Sequence, residues 1–260
     1  MRLLLIGCGN LGSALLKAWV DDKSLHKIVV VEPSLSAKSM FTTVNFVSNV
    51  SSISHDFSPD IVVLAIKPQQ IKTVLPEYTK YLKKAVLVSL AAGVQIENLN
   101  TYLAKNARII RIMPNIAIQI RKSVNLAYAS LESSLEDRKQ VEMIFDFTGK
   151  VIWLKKEELI DALTPISGSG PAYFILLAEI LTKITMNLGL EEDFARELVQ
   201  ETFLGSALLT SNGAKFEQMI SSISSKKGVT EAALNVIRPI LPNLMDHAFA
   251  AALERLKELK

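Results

Sequence analysis

The chain has 260 residues, of which 49% are hydrophobic and 21% charged, with a formal net charge of +3. That length suits two domains of about 100 to 150 residues each, and the composition excludes a disordered chain and any stretch long and uncharged enough to span a bilayer. The single cysteine, Cys8, excludes an intrachain disulfide, the scattered His26, His55 and His247 lack the spacing of a metal cluster, and short basic pairs such as Lys83-Lys84 without interleaved aromatics argue against nucleic acid.

In chain order, no cleavage-type segment precedes the first apolar run, so a cytoplasmic address is expected. Residues 2–6, 27–31, 61–66, 85–90 and 108–112 are short apolar runs without alternation, the pattern of strands buried on both faces of a parallel sheet. The amphipathic stretches 11–20 and 71–82 are long enough for right-handed crossovers. Residues 123–129 and 151–154, separated by a helical 134–145, are expected to add strands. From Glu158 onward strand signals stop, and helices are predicted over 158–165, 171–188, 191–210 and 230 to the end, with Pro171 at a start and Gly189 and Gly213 at stops. Within the second of these, residues 172–186 carry few charges, Glu179 and Lys183 among them, so that helix should be buried on every side, most simply in a dimer interface.

Gly7-Cys8-Gly9-Asn10-Leu11-Gly12 follows a strand and opens a helix, the context that makes a glycine pattern a dinucleotide fingerprint. Gly7 permits the tight turn, Gly9 the approach of a pyrophosphate and Gly12 the packing of helix on strand, with the helix amides of Asn10 and Leu11 facing negative charge. The expected fold is therefore an α/β Rossmann-type domain with a doubly wound, mostly parallel sheet over 1–154, followed by an all-α dimerisation and substrate domain over 155–260. Glu32 ends the second strand about 20 residues after Gly12, where a carboxylate accepts from ribose hydroxyls and repels a 2′-phosphate, which favours NADH over NADPH. A solvated strand-end carboxylate is the competing reading. Lys67-Pro68-Gln69 and Ala91-Ala92-Gly93 each follow a strand at the same carboxyl edge, where open α/β sheets bind ligands. In Ser167-Gly168-Ser169-Gly170-Pro171 the positions two residues either side of Ser169 are Ser167 and Pro171 rather than the glycines of a nucleophile elbow, which argues against a serine hydrolase.

Taken together, Gly7 to Gly12, Ala65-Ile66-Lys67-Pro68-Gln69, Ala91-Ala92-Gly93-Val94, Arg111-Ile112-Met113-Pro114-Asn115 and Asp161-Ala162-Leu163-Thr164-Pro165-Ile166-Ser167-Gly168-Ser169-Gly170-Pro171-Ala172-Tyr173 resemble the pyrroline-5-carboxylate reductase family over nearly the whole chain. The resemblance implies reduction of the cyclic imine (S)-1-pyrroline-5-carboxylate to L-proline by NADPH or NADH, in a homodimer or a ring of dimers. It implies Asn49 as a further cofactor residue, Ser167, Ser225, Gly228 and Val229 at the substrate, and Thr230 as the catalytic hydrogen-bond partner of the imine.

The family's Ser-Pro-Gly-Gly-x-Thr loop stands here as Ser225-Lys226-Lys227-Gly228-Val229-Thr230, and its Thr-Pro-Ala after Met-Pro-Asn stands as Ile116-Ala117-Ile118. An acidic residue before the loop is replaced near Gly213. Loss of a glycine at Lys227 is expected to work against the backbone conformation that cups a carboxylate, although a lysine ammonium offers another way to hold the same group. These departures keep open a catalytically impaired dinucleotide-binding homolog acting as a sensor or assembly protein. A β-hydroxyacid dehydrogenase type fits less well, because Lys183 and Asn187 have its spacing but lie too far beyond Gly170.

Overall fold

Three or more apolar residues in a row cannot alternate between core and water, so a strand made of them needs cover on both faces. In the computed structural model, which describes residues 1–22, 24–34, 41, 44–103 and 107–258, such strands form the centre of one sheet. The elements of the first part are β1 (Arg2–Ile6), α1 (Asn10–Trp19), β2 (Lys27–Val31), β3 (Asn45–Val47), β4 (Ile61–Leu64), α2 (Ile71–Val74), β5 (Val86–Ser89), α3 (Ile96–Tyr102) and β6 (Ile109–Met113). They are followed by β7 (Ser123–Ala129), α4 (Leu135–Asp146), β8 (Gly149–Trp153) and α5 (Glu158–Ser167). The described strands lie in the order β3-β2-β1-β4-β5-β6-β7-β8, parallel throughout except for the antiparallel pair β6–β7.

Register divides the strand residues between two cores. Leu4 pairs with both Val29 and Val62, and Val62 with Leu87, and all four belong to one buried cluster. Their chain neighbours Leu3, Leu5, Val30, Val63 and Val88 point to the other, which α1 and α4 cover with Leu15, Trp19, Ile144 and Phe145. Trp19 packs edge-on to Phe145 and donates its indole N–H to the Ile144 carbonyl at 2.9 Å, so the largest buried side chain leaves no donor unpaired.

The contacts divide the chain into residues 1–169 with 253–260, and residues 170–252. Helix α5 packs on β6 and β7 in the first unit. Buried Arg111 of β6 holds it there, donating to Glu157 at 2.8 Å and to Asp161 at 3.1 Å. The second unit carries α6 (Gly170–Met186), α7 (Glu192–Leu209), α8 (Phe216–Ile223), α9 (Val229–Ile237) and the start of α10 (Leu241–Glu258).

Three expectations need correction. The stretch expected as one helix over 71–82 is a single α-turn followed by 3₁₀ geometry from Leu75 to Lys83, because Pro76 at its start offers no amide. The helix expected from residue 230 onward divides into α9 and α10, since Pro239 and Pro242 each withhold an amide; residues 259 and 260 lie outside the described part. Short β3, α3 and α8 form where no element was expected.

Candidate active site

β1 is the point where strand order reverses, with β2 on one side and β4 on the other, and a crevice opens at the carboxyl ends of such strands. A cavity of about 490 Å³ lies there. Among its lining residues are Gly7, Gly9, Glu32, Asn49 and Lys67, brought together from four separate connections. Ser34, Ser48, Gln70 and Tyr78 also line it. None of these four stands in a motif in the sequence, and only the fold brings them to the cavity wall.

The glycines of the loop differ in what surrounds them. Gly7 has φ +90°, and a Cβ there would meet the Ala65 carbonyl oxygen at 2.7 Å. A Cβ on Gly12 would lie 2.4 Å from the Gly7 carbonyl oxygen, so this glycine lets α1 start against the loop. Gly9 is the opposite case: nothing lies within 4 Å of its Cβ position, it is exposed, and it caps α1 without a side-chain hydrogen bond. With no acidic residue in the first turn of α1, the uncapped amides form a site for an anion. An open glycine, free helix amides and a cavity alongside fit a dinucleotide pyrophosphate.

Glu32 turns its carboxylate back toward this loop. Oε2 accepts from the Cys8 amide at 2.7 Å and Oε1 from the Ser34 amide at 3.1 Å, which fixes a negative charge at the mouth of the loop. Burial, and secondarily this carboxylate, push the Cys8 thiol up to about 11, so it stays protonated and is no nucleophile near neutral pH. Burial likewise pushes the Tyr78 phenol up to about 12, leaving a neutral hydroxyl on the cavity wall.

The other expected cofactor residues lie around this edge without lining the cavity. Asn10 and Leu11 open α1, and Pro68 starts the 3₁₀ turn after β4. Ala91 is buried just after β5, and Gly93 takes φ +73°, a conformation suited to glycine. Ser167 ends α5, and its carbonyl accepts from the Asn115 side chain at 2.8 Å, tying the loop after β6 to that helix.

Ser225, Gly228, Val229 and Thr230 belong to the second unit, at the start of α9. The Gly228 amide donates to the Ser225 carbonyl at 2.9 Å, closing a four-residue turn with Lys226 and Lys227 in the middle. Lys227 has φ +59°, the positive angle at the third position that defines a type II turn. The expected loss of this conformation is therefore corrected: lysine adopts it. Gly228 is required by contact, since its Cβ would sit 2.9 Å from the Ser225 carbonyl oxygen. With its amide engaged in the turn, the first free amides of α9 are those of Val229 and Thr230.

Residues 157–259 match the family described as pyrroline-5-carboxylate reductase dimerisation, and residues 2–93 the one described as NADP oxidoreductase coenzyme F420-dependent. The pyrroline-5-carboxylate reductase of Pseudomonas aeruginosa is 30% identical over 99% of this chain and 96% of its own length. Among solved structures, a pyrroline-5-carboxylate reductase from Coxiella burnetii superposes with a TM-score of 0.91 at 30% identity, covering 99% of this chain and 98% of that one. The Plasmodium falciparum pyrroline carboxylate reductase with NADP bound gives 0.87 at 27% identity, covering 100% of this chain and 98% of that one. Similarity at 30% identity along almost the entire length places this chain in the pyrroline-5-carboxylate reductase family.

Proposed function

We propose that the chain is a cytoplasmic reductase that converts (S)-1-pyrroline-5-carboxylate to L-proline, with NADH preferred over NADPH. The observation that carries this reading is the chain-long match to reductases of that name. When bound, the nicotinamide supplies a hydride to the carbon of the C=N bond, and the ring nitrogen takes a proton. The chain's own task is then to hold and orient rather than to supply strong acids or bases.

In this reading residues 1–154 hold the dinucleotide, with the pyrophosphate on Gly9, Asn10 and Leu11 and the adenosine ribose at Glu32, beside Asn49. Lys67, Pro68, Ala91 and Gly93 border the nicotinamide half. Residues 155–260 form a homodimer and carry the substrate residues: the Val229 and Thr230 amides take the carboxylate at the positive end of α9, the Thr230 hydroxyl bonds the imine nitrogen, Ser225 opens the turn before them, and Ser167 at the end of α5 is a further substrate residue. Helix α5 belongs to this half by role while packing on the sheet of the first.

Steady-state oxidation of NADH and NADPH with the imine in excess tests the reading, with Thr230→Ala beside the parent. The expected result is turnover in the parent and a loss of about 100-fold in kcat/KM in the variant, the size expected for one hydrogen bond that strengthens in the transition state. A parent that binds the dinucleotide and leaves the imine unreduced contradicts it.

A further inference from the structure

The turn from Ser225 to Gly228 takes a shape that suits glycine at its third position, yet the residue there is Lys227, at φ +59°. A β-carbon crowds the backbone in that region, so something outside the turn must hold it. The structure shows one such contact. The Lys227 amide donates to Glu231 Oε2 at 2.6 Å, a short, charge-assisted bond to an acceptor four residues later. Glu231 lies in the first turn of α9, where its negative charge is favoured by the helix amides. It thereby joins the left-handed residue to the same helical turn that presents the Val229 and Thr230 amides.

We infer that Glu231 is a positioning residue: its carboxylate clamps the Lys226-Lys227 turn in the left-handed conformation and so sets the start of α9 for the imine carboxylate. It touches no substrate in this scheme. The role is tied to lysine at 227, since glycine would hold the same angle unaided. The kinetic part of this inference rests on the proposed function; the conformational part does not.

Two readouts on four proteins test it: amide hydrogen exchange at Lys227, and KM for the imine against KM for the dinucleotide. Glu231→Ala should speed exchange at Lys227 by about tenfold or more and raise the imine KM by a similar factor, with the dinucleotide KM within about twofold. Glu231→Gln keeps an acceptor and should fall between Glu231→Ala and the parent. Adding Lys227→Gly to Glu231→Ala should bring the imine KM back to within about threefold of the parent, which a general loss of stability would not allow. Unchanged exchange in Glu231→Ala, or a raised KM that Lys227→Gly does not relieve, overturns the inference. A parent that reduces no imine defeats the proposed function alone, and the exchange measurement still decides whether Glu231 holds the turn.

Discussion

Glu32 holds its charge in place by accepting from two backbone amides, Cys8 and Ser34, and the proposed function sets the adenosine ribose against this fixed carboxylate. Two ribose hydroxyls can donate to it, whereas a 2′-phosphate brings like charge into a partly enclosed cavity. Replacing the carboxylate by a neutral group of the same shape should therefore relieve repulsion without opening space. Glu32→Gln is expected to move the ratio of kcat/KM for NADPH over NADH upward by about tenfold, equivalent to roughly 1.4 kcal/mol, as read from steady-state rates with each cofactor. An unchanged ratio would show that Glu32 only braces the glycine loop. Gly9 and Gly12 contrast at the same scale: Gly12 is needed because its surroundings are full, whereas the space beside Gly9 is open.

At the scale of elements, the buried Arg111 connects three pieces of chain. It donates from β6 to Glu157 and Asp161 at the start of α5, and Glu157 Oε1 also accepts from the Ile96 amide at 2.7 Å, at the start of α3. Removing the cation leaves two carboxylates in a low-dielectric place without it, which costs far more than the pair gains when intact. Arg111→Met should lower unfolding stability by about 3 to 5 kcal/mol, measured by denaturant titration; a loss under about 1 kcal/mol would mean that the network is solvated. The same elements show how much of this molecule is legible in its sequence. The strands β1, β2, β4, β5 and β6 could be read because each is a mainly apolar run without alternation, broken inside only by Arg111 in β6, and the edge that carries the cavity followed from where Gly7, Glu32 and Lys67 stand relative to those runs. The triad of Arg111, Glu157 and Asp161 could not, since its members are up to 50 residues apart and only the fold makes them neighbours. Helical periodicity over 71–82 concealed the 3₁₀ segment, because Pro76 changes the hydrogen bonding without disturbing the pattern of buried Leu75, Tyr78 and Leu82. At Lys227 residue preference pointed away from a conformation that Glu231 and the closed turn sustain.

For the molecule as a whole, the central question is what covers α6. Phe174, Ile175, Leu176 and Leu177 are all more than half exposed in the single chain, and four successive residues at 100° intervals point around the full circumference of a helix. Packing against α7, where Phe174 meets Phe203 at 5.9 Å, covers only one side. Exposed apolar surface of this extent marks an interface, and the matched dimerisation family points to a second copy. The protein should sediment as a dimer or a multiple of it, and Leu177→Glu with Ile180→Glu should shift it to monomer; a parent that sediments as monomer would contradict this. No described helix is long and apolar enough to cross a membrane.

The most direct test of the account is to follow the hydride itself. With NADH deuterated at the transferable position and the pyrroline carboxylate as acceptor, the account predicts L-proline carrying one deuterium at the ring carbon that had been double-bonded to nitrogen, formed in step with oxidation of the cofactor. Recovery of unlabelled imine, from protein that demonstrably binds the deuterated dinucleotide, would contradict it.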